Sequence, residues 1–220
     1  MLRTKIVCTL GPASDAEDTL RAFIKAGMAV ARINFSHGTH KEHAHRIETV
    51  RRLAGEADCP IAILADLQGP KLRVGLLPPA GVPLADGQEI TFVNQPSSDD
   101  PGIIPVPHPE VLRDVRPGDH ILLDDGLLEF QILDHDEHQA HARVIDGGLL
   151  KSRKGLSLPR VSLTMPSVTD KDRDDASFAV KQQVDYLGLS FVRGPDDVRH
   201  LRAFLTELGA STPIIAKIEK

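Results

Sequence analysis

A pattern of short apolar runs alternating with amphipathic segments constrains the fold of this chain more than any other feature. The runs end at polar residues or glycines, and their length suits β-strands. Because they are apolar on both faces, they indicate a parallel sheet that helices cover, built from β/α units. Five strands are predicted in this way, at residues 5–10, 29–35, 61–65, 186–192 and 214–219.

Capping residues predict where the helices between these strands begin. In a capping box, a Ser or Thr stands three residues before a Glu or Gln, and each side chain bonds to the other's backbone N–H. Proline is also common in the first turn of a helix. Four helices are predicted to begin on these signals, at Ser14 (with Glu17), Thr39 (with Glu42), Thr169 and Pro195.

Residues 74–159 follow a different pattern, with short alternating runs and no convincing helical period. Turn dipeptides such as Asp86-Gly87 and Asp125-Gly126 separate the runs. This pattern predicts a small antiparallel β-barrel or sandwich, inserted between the third and fourth β/α units. The predicted domains are residues 1–73 (three barrel units), 74–159 (the β insert) and 160–220 (units four and five).

The number of predicted strands suggests a barrel that is not closed. A closed (β/α)8 TIM barrel needs eight units and about 250 residues, whereas five units are predicted in this chain of 220 residues. We therefore expect the α/β class, with an incomplete, truncated parallel TIM-type barrel and an inserted all-β domain. The two outer strands would leave sheet edges open.

Composition excludes several classes of protein. The 26 Lys and Arg against 31 Asp and Glu give a net charge of −5, which argues against a nucleic-acid partner. No apolar run approaches the length of a membrane span, and the first residues lack the apolar region of a signal peptide. We expect a cytoplasmic protein without a membrane partner, with Cys8 and Cys59 as buried, reduced thiols.

Charged side chains cluster at the predicted carboxyl ends of the strands, where β/α barrels hold their active sites. Arginines and lysines there indicate a phosphate ligand, and neighbouring carboxylates indicate Mg²⁺. Phosphoryl transfer needs both kinds of group, because the site must offset charge on the moving phosphoryl group. The candidate residues are Arg32, Asn34, Ser36, Asp66, Lys71, Arg73, Ser190, Arg193, Lys217 and Glu219.

Two groups of histidines have spacings that a metal site could use. The first lies on a predicted helix face rich in charge, and the second lies near a predicted hairpin with acidic neighbours. We interpret the first as a solvated helix face and the second as a surface turn, rather than as metal sites. The groups are His40, His43 and His45, and His135, His138 and His141.

Several longer segments together resemble pyruvate kinase, in the family's order and along the whole chain. The most specific are TKIVCTLGPAS at residues 4–14 and RINFSHG at 32–38. The others are DLQGPKLR at 66–73, DDG at 124–126, KGLSLP at 154–159, LSFVR at 189–193 and IAKIE at 215–219. The resemblance implies a barrel with a lid domain inserted after its third strand, and the β insert matches that lid.

The resemblance also implies an activity and a role for each matching residue. The family transfers a phosphoryl group from phosphoenolpyruvate to ADP in glycolysis, giving pyruvate and ATP. Arg32 would bind the phosphoryl group, Lys217 would stabilise its charge, and Glu219 would hold Mg²⁺ or Mn²⁺. Nucleotide contacts would come from Arg73, His37 and Lys154, and a monovalent-cation pocket from Asn34, Ser36 and Asp66. The complete protein would be a homo-oligomer.

One departure from the family pattern leaves alternatives open. The family's second metal-ligating carboxylate lies in a Gly-Asp-Leu-Gly stretch of the sixth strand, which is not found here. We therefore expect this chain to be inactive alone as an N-terminal fragment. An alternative is a pyruvate-kinase-like protein that binds phosphate or nucleotide without catalysis. A third is a metal-dependent aldolase, against which the insert and the Lys154 motif argue.

A second departure from the family pattern concerns the need for a monovalent cation. Many family members have a Glu where this sequence has Lys71, and they need K⁺. The ammonium of Lys71 could supply the charge that K⁺ otherwise brings, so the complete protein is expected to work without K⁺. Rates of pyruvate formation in sodium-free Tris buffer should be equal with and without KCl. A large activation by KCl would contradict this prediction.

Overall fold

The computed structural model describes residues 4–159, 161 and 163–219. Within it the chain forms two compact units, one from Met1–Pro70 and Pro166–Lys220, the other from Lys71–Met165. Each unit has its own hydrophobic core. The predicted domain boundary at residue 160 lies outside the described residues.

The elements of the described residues are numbered in chain order. The strands are β1 (Ile6–Leu10), β2 (Met28–Asn34), β3 (Ala62–Asp66), β4 (Val82–Leu84), β5 (Glu89–Val93), β6 (Ile103–Pro105), β7 (His120–Leu123), β8 (Leu128–His135), β9 (Gln139–Asp146), β10 (Gly148–Leu150), β11 (Leu156–Ser157), β12 (Tyr186–Leu189) and β13 (Ile214–Ala216). The helices are α1 (Glu17–Lys25), α2 (His40–Glu56), α3 (Pro109–Asp114), α4 (Asp170–Lys181) and α5 (Pro195–Glu207).

A parallel five-stranded sheet organises the first unit, in the order β1-β2-β3-β12-β13. The strands follow one another in chain order, as in a β/α barrel and unlike the reversed order of a doubly wound sheet. Side chains such as Ile33, Ile63 and Leu187 are fully buried in its core. The predicted parallel β/α sheet is therefore confirmed, and the carboxyl ends of its strands share one edge.

Of the four predicted helix starts, three are confirmed and one is wrong. The helix α5 begins at Pro195, as predicted. Thr39 and Thr169 are the N-caps of α2 and α4, each in a capping box. Ser14 does not cap α1, which starts at Glu17 after Ala16. The hydroxyl of Ser14 instead donates to the carbonyl of Gly11 at 3.0 Å and closes a short 3₁₀ turn.

The second unit contains a six-stranded sheet in the order β11-β7-β8-β9-β5-β6 and a two-stranded sheet of β4 and β10. Phe92 and Phe130 meet edge to face in its core, with ring centroids 5.2 Å apart. The prediction of purely antiparallel pairing is wrong for β5 and β6, which are parallel. Residues 94–102 return the chain to the start of β5 before β6 begins.

The expectation that residues 74–159 hold no helix is also wrong. The helix α3 opens with Pro109 and buries Val111 and Leu112. It has six residues, which is too short for an apolar face to repeat and produce a helical period in the sequence.

Cys8 and Cys59 are free, as predicted, but both are half-buried rather than buried. For Cys8 the reason is its position on β1, a strand with one unpaired edge in the described sheet. In the described part of the chain, no helix combines the length and apolar character needed to cross a membrane.

The capping box of α2 gives a test of this fold. The Thr39 hydroxyl accepts a hydrogen bond from the N–H of Glu42, so Thr39→Ala should cost about 1 kcal/mol of unfolding free energy. Ser177→Ala is the matched control, because that hydroxyl bonds to the Arg173 carbonyl inside α4 and not to a backbone N–H at a helix start. Its effect should stay within about 0.5 kcal/mol in urea unfolding. Equal losses in both variants would contradict the assignment.

Candidate functional site

A buried carboxylate lies between two cations at the carboxyl edge of the parallel sheet. Asp66, the last residue of β3, has 2% of its surface exposed. Its Oδ2 accepts from Arg32 Nε at 2.6 Å. Lys217 Nζ donates to its Oδ1 and Oδ2 at 3.1 and 3.2 Å. Burying a carboxylate is tolerated only with such partners, so Asp66 holds both cations at one place.

Strand register explains why these side chains meet. Asp66 is the register partner of Asn34 on β2 and of Gly188 on β12. Arg32 lies two residues before Asn34, so both side chains point to the same face of the sheet. A Cβ on Gly188 would lie 2.8 Å from Asp66 Oδ1. The carboxylate therefore occupies space that any side chain at position 188 would fill.

The neighbouring strand β1 supports Arg32 from the other side. Thr9 is the register partner of Arg32, and its hydroxyl accepts from the guanidinium NH1 at 2.8 Å. Thr9 was not among the predicted site residues. Its position next to the end of a predicted strand was the available signal, because polar residues at that edge share one site.

Lys217 follows β13, and among the described residues its ammonium contacts the side chains of Asp66, Ser190 and Glu219. Besides Asp66, its ammonium donates to the hydroxyl of Ser190 at 2.8 Å and lies 3.3 Å from Oε1 of Glu219. The Lys217 side chain keeps 29% of its surface exposed. The ammonium is therefore oriented by protein acceptors while the side chain remains open to a ligand.

Glu219 is held by the turn that follows β12. Its Oε2 accepts from the backbone N–H of Phe191 at 2.9 Å. Phe191 has φ of 56°, a left-handed conformation that bulky residues rarely adopt. Such strain persists where the surrounding structure demands it and is common at functional sites.

The donor set at this edge fits a divalent cation only in part. Among the described residues, no group of three or more His, Cys, Asp or Glu side chains is arranged to hold a metal. Mg²⁺ usually takes one or two carboxylates and completes its shell with water and substrate phosphate. The partly exposed carboxylate of Glu219 fits that requirement, whereas the carboxylate of Asp66 is already paired with two cations.

Three other predicted residues, Asn34, Ser36 and His37, lie at the end of β2 and in the turn that follows it. The side-chain oxygen of Asn34 accepts from the N–H of Ser36 at 3.0 Å, which closes this turn. The carbonyl of Asp66 accepts from the N–H of Phe35 at 3.0 Å. Asn34, Ser36 and Asp66 are thus brought to one end of neighbouring strands, and His37 is exposed beside them. Their role as a monovalent-cation pocket stays a prediction.

The remaining predicted residues belong to the second unit. Lys154 Nζ is paired with Asp124 Oδ1 at 2.8 Å. The guanidinium of Arg73 donates to the carbonyl of Arg153, and Arg73 pairs with Gly155 in a β-bridge. Arg73 and Lys154 are therefore neighbours within this unit. Lys71 begins the unit and is half-buried.

The interpretation of the first histidine group as a solvated face is wrong for His43, which is 2% exposed. Its ring packs on Phe35 with centroids 4.5 Å apart. His40 stacks on Phe178 of α4 at 4.3 Å and bonds to Asp175 at 2.7 Å. The packing of α4 against α2 covers this face, which the periodicity of α2 alone does not reveal.

Comparison with known proteins gives a consistent result along the whole chain. The family model described as "PK: Pyruvate kinase, barrel domain" matches residues 1–220. Pyruvate kinases of Staphylococcus aureus strains USA300, COL and MRSA252 are each 41% identical over 221 aligned positions, covering 100% of this chain. The chain spans 38% of the length of these relatives.

The burial of His43 predicts an acid-sensitive fold. Burial, together with the charge of Arg46, lowers the pKa of His43 below its usual range. As pH falls through the ordinary histidine range, His43 binds a proton in the unfolded chain before it does so in the folded chain. The free energy of unfolding therefore decreases on acidification. Urea unfolding from pH 7.5 to 5.5 should show this loss, and His43→Gln should reduce it.

His45→Gln is the control for this experiment, since His45 is exposed on the same helix. This control should leave the pH dependence unchanged. An identical slope in the native chain and in His43→Gln would contradict the prediction.

Proposed function

Because the chain belongs to the pyruvate kinase family, we propose that it supplies the phosphoryl-binding side of a site that converts phosphoenolpyruvate and ADP into pyruvate and ATP. The observation that carries this proposal is the convergence of Arg32 and Lys217 on the buried carboxylate of Asp66. Two fixed cations at the carboxyl edge of parallel strands suit a ligand that carries a phosphoryl group.

In the proposed reaction, the bond from phosphorus to the enol oxygen of phosphoenolpyruvate breaks. A bond forms between phosphorus and a terminal oxygen of ADP, and the enolate left behind takes a proton at its methylene carbon. Arg32 binds the phosphoryl oxygens, and Lys217 offsets their charge as the group moves. Because Asp66 holds both cations in place before the ligand arrives, little reorganisation is needed during the transfer.

Glu219 is the proposed ligand for Mg²⁺ or Mn²⁺, as the donor chemistry of its carboxylate allows. When bound, such an ion would offset negative charge on the phosphoryl oxygens. Glu219 accepts from Phe191 N–H through Oε2, which fixes the direction of the carboxylate.

The second unit is the proposed lid, and its Arg73 and Lys154 are proposed to contact nucleotide phosphates. His37 is a separate proposed nucleotide contact. Asn34, Ser36 and Asp66 form the proposed monovalent-cation pocket. The ammonium of Lys71 would supply the positive charge in place of K⁺. We also propose the glycolytic setting of the family, in the cytoplasm and within a homo-oligomer.

A second candidate function is the binding of phosphate or nucleotide without catalysis. It is favoured by the finding that the described residues contain no cluster of three metal-ligating side chains. A single carboxylate would hold a divalent cation weakly, so binding could persist where transfer fails.

A coupled assay tests the two functions against each other. Because this chain alone is expected to be inactive, the complete protein is mixed with phosphoenolpyruvate, ADP and MgCl₂, and pyruvate is followed with lactate dehydrogenase and NADH. Lys217→Ala should reduce turnover by about 100-fold or more, because it removes a fixed charge at the moving group. Lys25→Ala, an exposed lysine in the last turn of α1, is the matched control and should retain full turnover.

Calorimetric titration with phosphoenolpyruvate separates the remaining outcomes. Binding without turnover would favour the second candidate. A folded chain that neither binds phosphoenolpyruvate nor forms pyruvate would contradict both functions.

A further inference from the structure

We propose that Ser190 is a positioning residue for Lys217, which directs the lysine ammonium toward the phosphoryl group. The proposal rests on the function proposed above. Ser190 follows β12, is 3% exposed, and accepts a hydrogen bond from Lys217 Nζ at 2.8 Å. That contact is the shortest that the ammonium makes with a side chain among those described at the site.

The direction of the serine hydroxyl is determined by a backbone carbonyl. Ser190 Oγ donates to the carbonyl oxygen of Leu67 at 2.7 Å. A hydroxyl has one proton to donate, so toward Lys217 it can only accept. Leu67 is itself fixed, since its N–H donates to the carbonyl of Gly188 at 2.9 Å. The hydroxyl is thus locked between the ends of β3 and β12, with its lone pairs toward the ammonium.

The hydrogen bonds of the Lys217 ammonium show how Ser190 orients it. An ammonium has three N–H bonds, and that of Lys217 donates to Ser190 and to both oxygens of Asp66. Ser190 and Asp66 are buried acceptors, and both are anchored to the sheet. Glu219 is partly exposed and its contact is longer, at 3.3 Å. The contact with Glu219 is an ion pair without a hydrogen bond, so a phosphoryl oxygen can approach the ammonium on that side.

The turn that carries Ser190 has little freedom to move. A Cβ on Gly69 would lie 3.1 Å from both the Cβ and the carbonyl oxygen of Ser190, so the two loops are in close contact. The next residue, Phe191, has its left-handed φ and donates to Glu219. One rigid turn thus holds Lys217 through a side chain and Glu219 through the backbone.

Removal of the hydroxyl should affect transfer more than binding. In Ser190→Ala the ammonium keeps its ion pair with Asp66 but loses the acceptor that fixes its direction. We expect kcat to fall about tenfold, because misoriented groups lose effective molarity. KM for phosphoenolpyruvate should change less than about twofold, since Arg32 still binds the phosphoryl group.

Two companion variants separate positioning from structure. Ser190→Thr retains a hydroxyl and should recover most of kcat. Thr49→Val is the matched control, because it also deletes a buried hydroxyl that donates to a backbone carbonyl, that of His45. It should lower thermal stability without changing kcat. Equal losses of kcat in Thr49→Val and Ser190→Ala would overturn the proposal.

A chemical readout tests the proposal without any need for turnover. Each variant is treated briefly with acetic anhydride, and acetylation of Lys217 and Lys25 is measured by mass spectrometry. Ser190→Ala should raise the acetylation rate of Lys217 severalfold relative to Lys25, because the amine is less restrained. Ser190→Thr and Thr49→Val should match the native chain.

The outcomes keep the two proposals apart. If the complete protein and all of its variants lack turnover, the proposed function fails and acetylation alone decides the role of Ser190. If Ser190→Ala is folded and its Lys217 reacts at the native rate, Ser190 does not position the lysine.

Discussion

Without the carboxylate of Asp66, Arg32 and Lys217 would repel each other at the edge of the sheet. Their attraction to one buried charge links the ends of β2 and β13, which are far apart in sequence and have β3 and β12 between them in the sheet. The buried carboxylate is stable only because both cations and the strand register supply its partners. The candidate site and the centre of the parallel sheet therefore depend on the same ion pairs.

The turn after β12 extends this arrangement outward. Ser190 bonds to Lys217 with its hydroxyl, and Phe191 bonds to Glu219 with its backbone. The residues proposed to bind phosphate and metal are thus held by two neighbouring residues in one turn. Side chains whose acceptors are fixed before a ligand binds lose little free energy in reorganising around it.

Local signals predicted much of the fold, and the failures have local causes in two cases and a distant contact in the third. Thr39 and Thr169 cap their helices because capping depends on residues a few positions apart. Ser14 does not cap α1, because its hydroxyl bonds to the carbonyl of Gly11. The helix α3 was not predicted, because it is too short to show a helical period. The burial of His43 depends on α4, more than a hundred residues away in sequence. Strand ends predicted the charged site residues, but not that Asp66 pairs with both cations.

Gly188 gives the site an unusual kind of sensitivity. The position carries no charge and makes no polar side-chain contact, yet the Asp66 carboxylate occupies the volume that a methyl group there would need. An apolar substitution at 188 would push the carboxylate away from Arg32 and Lys217, and would alter the electrostatic potential of the site as a charge substitution does. Steric exclusion at one backbone position thereby controls the electrostatics of residues on three other strand ends.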